Sequence, residues 1–199
     1  MTYLLAIDPG THQMAVSWFD LASPHPDPGP VSYALLEAPN HDADSDERTV
    51  ALKHLLIEAM AVAKISSGRT THIAIEQLKG RGVHPAPELD AWIRVLRRWA
   101  GRQGATVIMC SPRTWQAGVL PKGMHKRAPQ MPGEDSGDAL KQAVAATLAA
   151  RYPALGAALP QMGKWLNVFD SVGIGVWASL RVRNPRAAEL ERAMARGVR

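Results

Sequence analysis

The sequence predicts an α/β protein: a mixed five-stranded sheet, three antiparallel strands then two parallel ones, flanked by helices. Two observations predict it. Three short apolar runs follow one another at the start of the chain through turn-forming links too short for a helix. Two further apolar runs come later, each preceded by a segment of helical period, which is the pattern of parallel pairing. The 199 residues are enough for one substantial core, and a single domain over 1–199 is expected.

The first strand spans 2–8, where Leu4-Leu5-Ala6-Ile7 ends on Asp8 and turns at once through Pro9-Gly10. In the second, over 13–20, Met14, Val16 and Trp18 alternate with smaller residues, and Pro9-Gly10-Thr11-His12 suits the hairpin between them. Four prolines make 23–30 a loop, and 31–37 is the third strand of a meander. Ser45 is a candidate N-cap for a helix with Asp46 and Glu47 in its first turn. Leu52, Leu55, Leu56, Ala59, Val62 and Ala63 carry its period towards Gly68.

The fourth strand, 71–77, ends on Glu76-Gln77, and a loop rich in Gly, Pro and basic residues follows over 78–87. A helix over 86–103 sets Leu89, Trp92, Ile93, Leu96 and Ala100 on one face, with Gly104 as its C-cap. Trp92 and Trp99 together are more apolar bulk than one face needs, so one is assigned to the core and the other to a dimer seam. The fifth strand is 105–110. Ser111-Pro112 reads as a cap with proline at the first position of a short helix through Trp115. A basic loop without apolar period occupies about 121–135, a helix runs from 136 to about 151, and the last core helix runs from about 167 to 183. A basic tail, about 184–199, contains a possible short helix over 187–196.

Net charge is +5, unevenly spread. Residues 1–76 carry 4 Lys/Arg against 10 Asp/Glu, and 77–199 carry 19 against 8. A basic second part suits a polyanion such as nucleic acid, and is otherwise an Arg-rich solvated surface. No apolar run approaches the roughly 20 residues that span a bilayer, and the N-terminus lacks a basic signal-peptide region. The single cysteine, Cys110, excludes an internal disulfide and fits a reducing cytoplasm. No His/Cys spacing suits zinc.

Three acids interrupt sequence that otherwise reads as core: Asp8, Glu76, and Asp170 in Val168-Phe169-Asp170-Ser171-Val172-Gly173-Ile174-Gly175. Buried carboxylates tend to be paired or metal-bound. If the first and fourth strands are neighbours, Asp8 and Glu76 lie side by side. A divalent cation removes their repulsion, and Mg²⁺ prefers carboxylate oxygens. Asp170 on an abutting helix completes an open site, and Gly173, one turn on, lets that helix approach the sheet. Two ions about 4 Å apart, bridged by Asp8, suit phosphodiester hydrolysis without a covalent intermediate. Each acid also has a plain reading: a turn former at Asp8, a surface residue at Glu76, a first-turn helix acid at Asp170. Asn167, one turn before Asp170, is either a metal ligand or an N-cap.

These residues resemble a family. Leu5-Ala6-Ile7-Asp8-Pro9-Gly10-Thr11, Ala74-Ile75-Glu76-Gln77 and Asp170-Ser-Val-Gly-Ile-Gly, in this order and spacing, are similar to the RuvC-like Holliday junction resolvases. Ser111-Pro112-Arg113-Thr114-Trp115-Gln116 and Lys141-Gln142-Ala143-Val144 follow the family's course after the second acid, and the Trp-Gln segment looks most like phage-borne members. The resemblance runs from Thr2 to about Leu180. It implies a ribonuclease H-like fold and a homodimeric Mg²⁺- or Mn²⁺-dependent endonuclease with two ions per site. The substrate it implies is the four-way DNA junction, in a bacterial cell or phage-infected host, with neither nucleotide cofactor nor membrane. Asp8, Glu76 and Asp170 map onto three of the four metal-site residues. Asn167 falls where the family has Asp or His, and Lys141 is the candidate for the family's catalytic lysine. Lys79, Arg81, Arg113, Lys122, Lys126 and Arg127, with Lys141, are the candidate DNA contacts. Two alternatives stand beside this. Asp-Pro-Gly-Thr also resembles the first phosphate motif of actin-like ATPases and sugar kinases, which need two such domains. A non-catalytic DNA-binding relative would fit the neutral Asn167.

Overall fold

The computed structural model describes residues 2–25, 27, 29–38, 44–62, 69–77, 87–121, 124, 136–158 and 162–186. The strands are β1 (Thr2–Asp8), β2 (Gln13–Asp20), β3 (Ser32–Glu37), β4 (Arg69–Glu76) and β5 (Thr106–Cys110). The helices are α1 (Ser45–Val62), α2 (Pro87–Arg102), α3 (Pro112–Val119), α4 (Ser136–Arg151), α5 (Pro153–Ala158) and α6 (Met162–Arg183). They form one sheet in the order β3-β2-β1-β4-β5. β1 and β3 flank β2 antiparallel, and β4 joins β1 and β5 in parallel. The meander, the parallel pair and the adjacency of β1 and β4 are all as expected from the sequence. No described helix is long and apolar enough to cross a membrane.

Strand alternation divides the core in two. Leu5, Ile7, Met14, Val16, Trp18, Ile73 and Ile75 face α1 and α2, meeting Leu52, Leu56, Trp92, Leu96 and Trp99. Leu4, Ala6, Ala15, Phe19 and Ala74 face α3–α6. The three alanines on that face leave room for α6, whose span from Val168 to Ser179 is buried throughout. Gly10 makes the β1–β2 hairpin possible, since a Cβ there would lie 2.2 Å from the Gln13 carbonyl oxygen. Gly104 takes a positive φ of 66° after α2, a conformation favourable to glycine.

Several expectations are corrected. Asp44, not Ser45, caps α1: its Oδ1 accepts the backbone N–H groups of Asp46 and Glu47, both at 2.9 Å. Ser111 is the expected N-cap of α3, with Pro112 in the first turn, but its hydroxyl bonds the Thr114 hydroxyl at 2.7 Å instead of a backbone N–H. Trp92 and Trp99 are both buried in the α1/α2 core, so neither forms a dimer seam. Their spacing explains it, because Trp92, Leu96 and Trp99 recur at four and three residues on one helical stripe. The helix expected from about 167 begins at Met162, so Asn167 is not its N-cap and Asp170 is not in its first turn. The loop of 78–86, most of the basic loop and the tail beyond 186 lie outside the described residues, and with them Lys79, Arg81, Lys122, Lys126 and Arg127.

Gly173 does not serve the approach of α6 to the sheet. A Cβ there would meet the ring of Trp115 on α3, at 2.5 Å from Cζ3. Gly175 takes that role in its place, since a Cβ on it would stand 1.9 Å from Phe19 Cε2 on β2. The buried Ser17 hydroxyl of β2 ties the same contact by donating to the Ser171 carbonyl at 2.9 Å. Gly175→Ala is therefore expected to push α6 off the sheet and destabilise the protein by about 3 kcal/mol, at the upper end of overpacking costs. Denaturant titration checks this; a midpoint within error of the parent would contradict the close approach.

Candidate active site

β1 and β4 run parallel in a register that pairs Ile7 with Ile75, so the next residues, Asp8 and Glu76, emerge side by side at the C-terminal edge of the sheet. Both point to the α6 face by alternation with Ala6 and Ala74. α6 crosses this face and contributes Asp170, 6 % exposed. The three acids line a cleft of about 710 Å³ together with Thr11, His12, Gln116, Lys141 and Asn167.

The electrostatics of the cleft are strained. Burial first, then the charges of Glu76 and Asp170, hold the Asp8 carboxyl well above the usual carboxylate range. Burial raises Glu76 too, against the opposing effect of hydrogen bonds from Trp115 and Asp8 and the charge of Lys141. Asp8 and Glu76 lie close enough to share a hydrogen bond, and burial disfavours ionising both. Asp170 is pushed up to about 7 by burial, offset in part by Lys141 and reinforced by Glu76. The Lys141 ammonium lies 3.8 Å from Asp170 Oδ2, whereas the buried Oδ1 has no hydrogen-bond partner.

The donor set is made of hard oxygens, and it lacks positive charge: three acids converge on one lysine whose side chain is 42 % exposed. An orphaned buried carboxylate oxygen on Asp170 and the buried, mutually repelling acids Asp8 and Glu76 are what a divalent cation would relieve, so the residues fit Mg²⁺ or Mn²⁺. As the side chains lie, no three His, Cys, Asp or Glu groups among the described residues are close enough to hold one ion. Asn167 is interior to α6 and lines the cleft one turn before Asp170.

Of the remaining candidates among the described residues, Lys141 enters the site, whereas Arg113 is exposed on α3 and does not line it. Cys110, paired in register with Glu76, is buried and its thiol is pushed up by burial and by the Glu76 and Asp8 charges, so it stays neutral. Sequence reasoning missed Trp115 as a site residue. Its indole N–H donates to Glu76 Oε1 at 2.6 Å. The four-residue spacing of Pro112 and Gln116, both cleft residues, is the signal that one face of α3 borders the site.

No protein-family model matches the chain, and no curated protein matches it. Solved structures do. Thermus thermophilus RuvC is similar over 91 % of this chain and 95 % of its own, with a TM-score of 0.60 and 11 % identity. T. thermophilus RuvC in complex with a Holliday junction substrate gives 0.56 and 14 %, over 92 % and 96 %. The fowlpox virus Holliday junction resolvase gives 0.53 and 10 %, over 87 % and 94 %. Across most of its length the chain has the ribonuclease H-like fold of the RuvC-type resolvases.

Proposed function

We propose that the protein is a divalent-metal-dependent endonuclease that resolves four-way DNA junctions. One observation carries the reading: three acids from two strand ends and a distant helix line a single cleft in a fold of the RuvC type. Bound there, two Mg²⁺ or Mn²⁺ ions supply activation of water and stabilisation of the leaving oxygen of a phosphodiester. Asp8, Glu76 and Asp170, which line the cleft, would hold them. The Lys141 ammonium is within reach of a phosphate oxygen drawn into the cleft, and takes the part of the catalytic lysine. Cys110 is buried and its thiol is pushed up by burial and by the neighbouring acids, so it does not serve as a nucleophile.

Junction DNA as substrate is supported by the RuvC structure solved with a Holliday junction. A four-way junction offers two equivalent strands, which a two-fold homodimer matches with two equivalent sites. Lys79, Arg81, Lys122, Lys126 and Arg127, in basic sequence on either side of the cleft residues, hold backbone phosphates with exposed Arg113.

A calorimetric titration with Mn²⁺ tests the reading. The nuclease binds metal without nucleotide; a degraded DNA-binding relative binds none, and an actin-like ATPase requires nucleotide. Asn167 gives a further prediction. It brings an amide oxygen and no charge, and Mn²⁺ generally binds such sites better than Mg²⁺. Cleavage is therefore expected at lower Mn²⁺ than Mg²⁺, and Asn167→Asp is expected to narrow that gap by roughly tenfold in Mg²⁺ requirement. Superimposable metal titrations of the two proteins would remove Asn167 from the site.

A further inference from the structure

The contacts of Trp115 go beyond filling the core. Its ring is fully buried between α3 and α6, and its only polar atom is spent on one carboxylate oxygen of Glu76, at 2.6 Å. The benzo edge of the ring occupies the place of the missing side chain at Gly173, where a Cβ would lie 2.5 Å from Cζ3 and 2.9 Å from Cε3. The same two helices repeat the arrangement in reverse. Trp177 of α6 fills the gap at Gly118 of α3, where a Cβ would stand 2.7 Å from Cδ1, and the Arg181 guanidinium covers its ring at 4.5 Å. Two tryptophans on opposite helices thus each sit in a glycine gap of the other. An indole so held has few rotamers open to it, and α3 cannot slide or turn on α6 without expelling a ring.

The consequence reaches the acids. Gly173 is one turn beyond Asp170 on the same helix. Through Trp115, the β4 carboxylate Glu76 is therefore keyed to the helix that carries Asp170. Burying an indole N–H without a partner is costly, and two others in this protein, Trp18 and Trp92, have none. The bond to Glu76 is thus a specific pairing and not a general property of the core tryptophans.

We propose that Trp115 is a positioning residue, a strut that fixes one oxygen of Glu76 and sets its distance from Asp170, leaving the other oxygen for the cation. This rests on the metal reading of the cleft, and Trp115, fully buried with its N–H on Glu76, acts through that carboxylate. A hydrogen-bonded outer partner of this kind tunes ligand orientation, and its loss typically costs 10–100-fold in metal affinity.

Two measurements test it. In ¹⁵N-indole spectra of the metal-free protein, the Trp115 Nε1–H signal is expected downfield of those of Trp18 and Trp92, protected from solvent exchange, and displaced by Glu76→Gln. In calorimetry without DNA, Trp115→Phe is expected to weaken Mn²⁺ binding roughly 10–100-fold. Gly173→Ala, which keeps the N–H but displaces the ring, is expected to do the same, and to add little in the Trp115→Phe background. A Phe variant that fails to fold leaves Gly173→Ala and the spectrum to decide. A Trp115 signal coincident with those of Trp18 and Trp92, or variants that bind Mn²⁺ like the parent, would overturn the strut. A parent protein that binds no Mn²⁺ would instead overturn the metal reading, and the indole spectrum, which needs no metal, would still decide the strut.

Discussion

Asp8→Asn, Glu76→Gln and Asp170→Asn each abolish junction cleavage while junction binding persists. Each carboxylate supplies negative charge that neutral isosteres cannot, and metal-ion catalysis contributes several kcal/mol of charge stabilisation in the transition state. At tenfold per 1.36 kcal/mol, losing it lowers the rate by roughly a thousandfold or more. The replacements keep shape, and they remove repulsion in a cleft where burial already disfavours ionisation. Thermal stability without metal should therefore hold or rise, which separates loss of chemistry from loss of fold. Cleavage of labelled junction, with binding followed by gel shift in the presence of Ca²⁺, measures both. Full activity in any one variant would remove that residue from the site.

The metal-free protein loses stability as pH rises from about 4 to above 7. Asp170 and Asp8 have folded-state values raised above their ordinary 3.8, Asp170 to about 7. A raised carboxyl stabilises the fold fully below its ordinary range and loses that contribution as pH climbs through the raised value. For Asp170 alone the difference of about three units is on the order of 4 kcal/mol, or about 10 °C in melting temperature. Two groups work otherwise. Burial lowers His72, which favours the fold at higher pH. Burial would raise Asp27, but hydrogen bonds from Arg151 and Tyr152 win and lower it, so its contribution is lost only at more acidic pH. The decisive quantity is thus the difference between parent and Asp170→Asn across pH 4–8. The variant's profile is expected to be flatter, and Mn²⁺ is expected to flatten the parent's, since binding needs ionised carboxylates. Parallel profiles would contradict the buried, uncompensated state of Asp170.

Much of the cleft is legible in the sequence because its acids stand where apolar runs stop. Thr2–Asp8 and Gln13–Asp20 follow from alternation and a Pro-Gly turn, and Asp8 and Glu76 become neighbours once β1 and β4 are paired. What stays hidden depends on contacts between elements. Lys141 meets Asp170 only because α4 packs on α6, and no local pattern encodes that meeting. Asn167 looks like a cap because the apolar run starts just after it, yet the helix begins five residues earlier in sequence of weak period. Trp115 looks like core, and it is core; that its N–H finds Glu76 depends on a glycine three elements away. Bulk alone sends one of Trp92 and Trp99 outward, whereas their spacing with Leu96 keeps both inside.

The most direct measurement is cleavage of a synthetic four-way junction beside linear duplex of the same sequence, with Mn²⁺ or Mg²⁺ and the basic loop intact. A junction-resolving nuclease gives paired cuts at symmetric positions in two opposing strands of the junction, leaves the linear duplex intact, and loses all cutting when EDTA removes the metal. Equal cutting of both DNAs, or no cutting of the junction at any metal concentration, would contradict it.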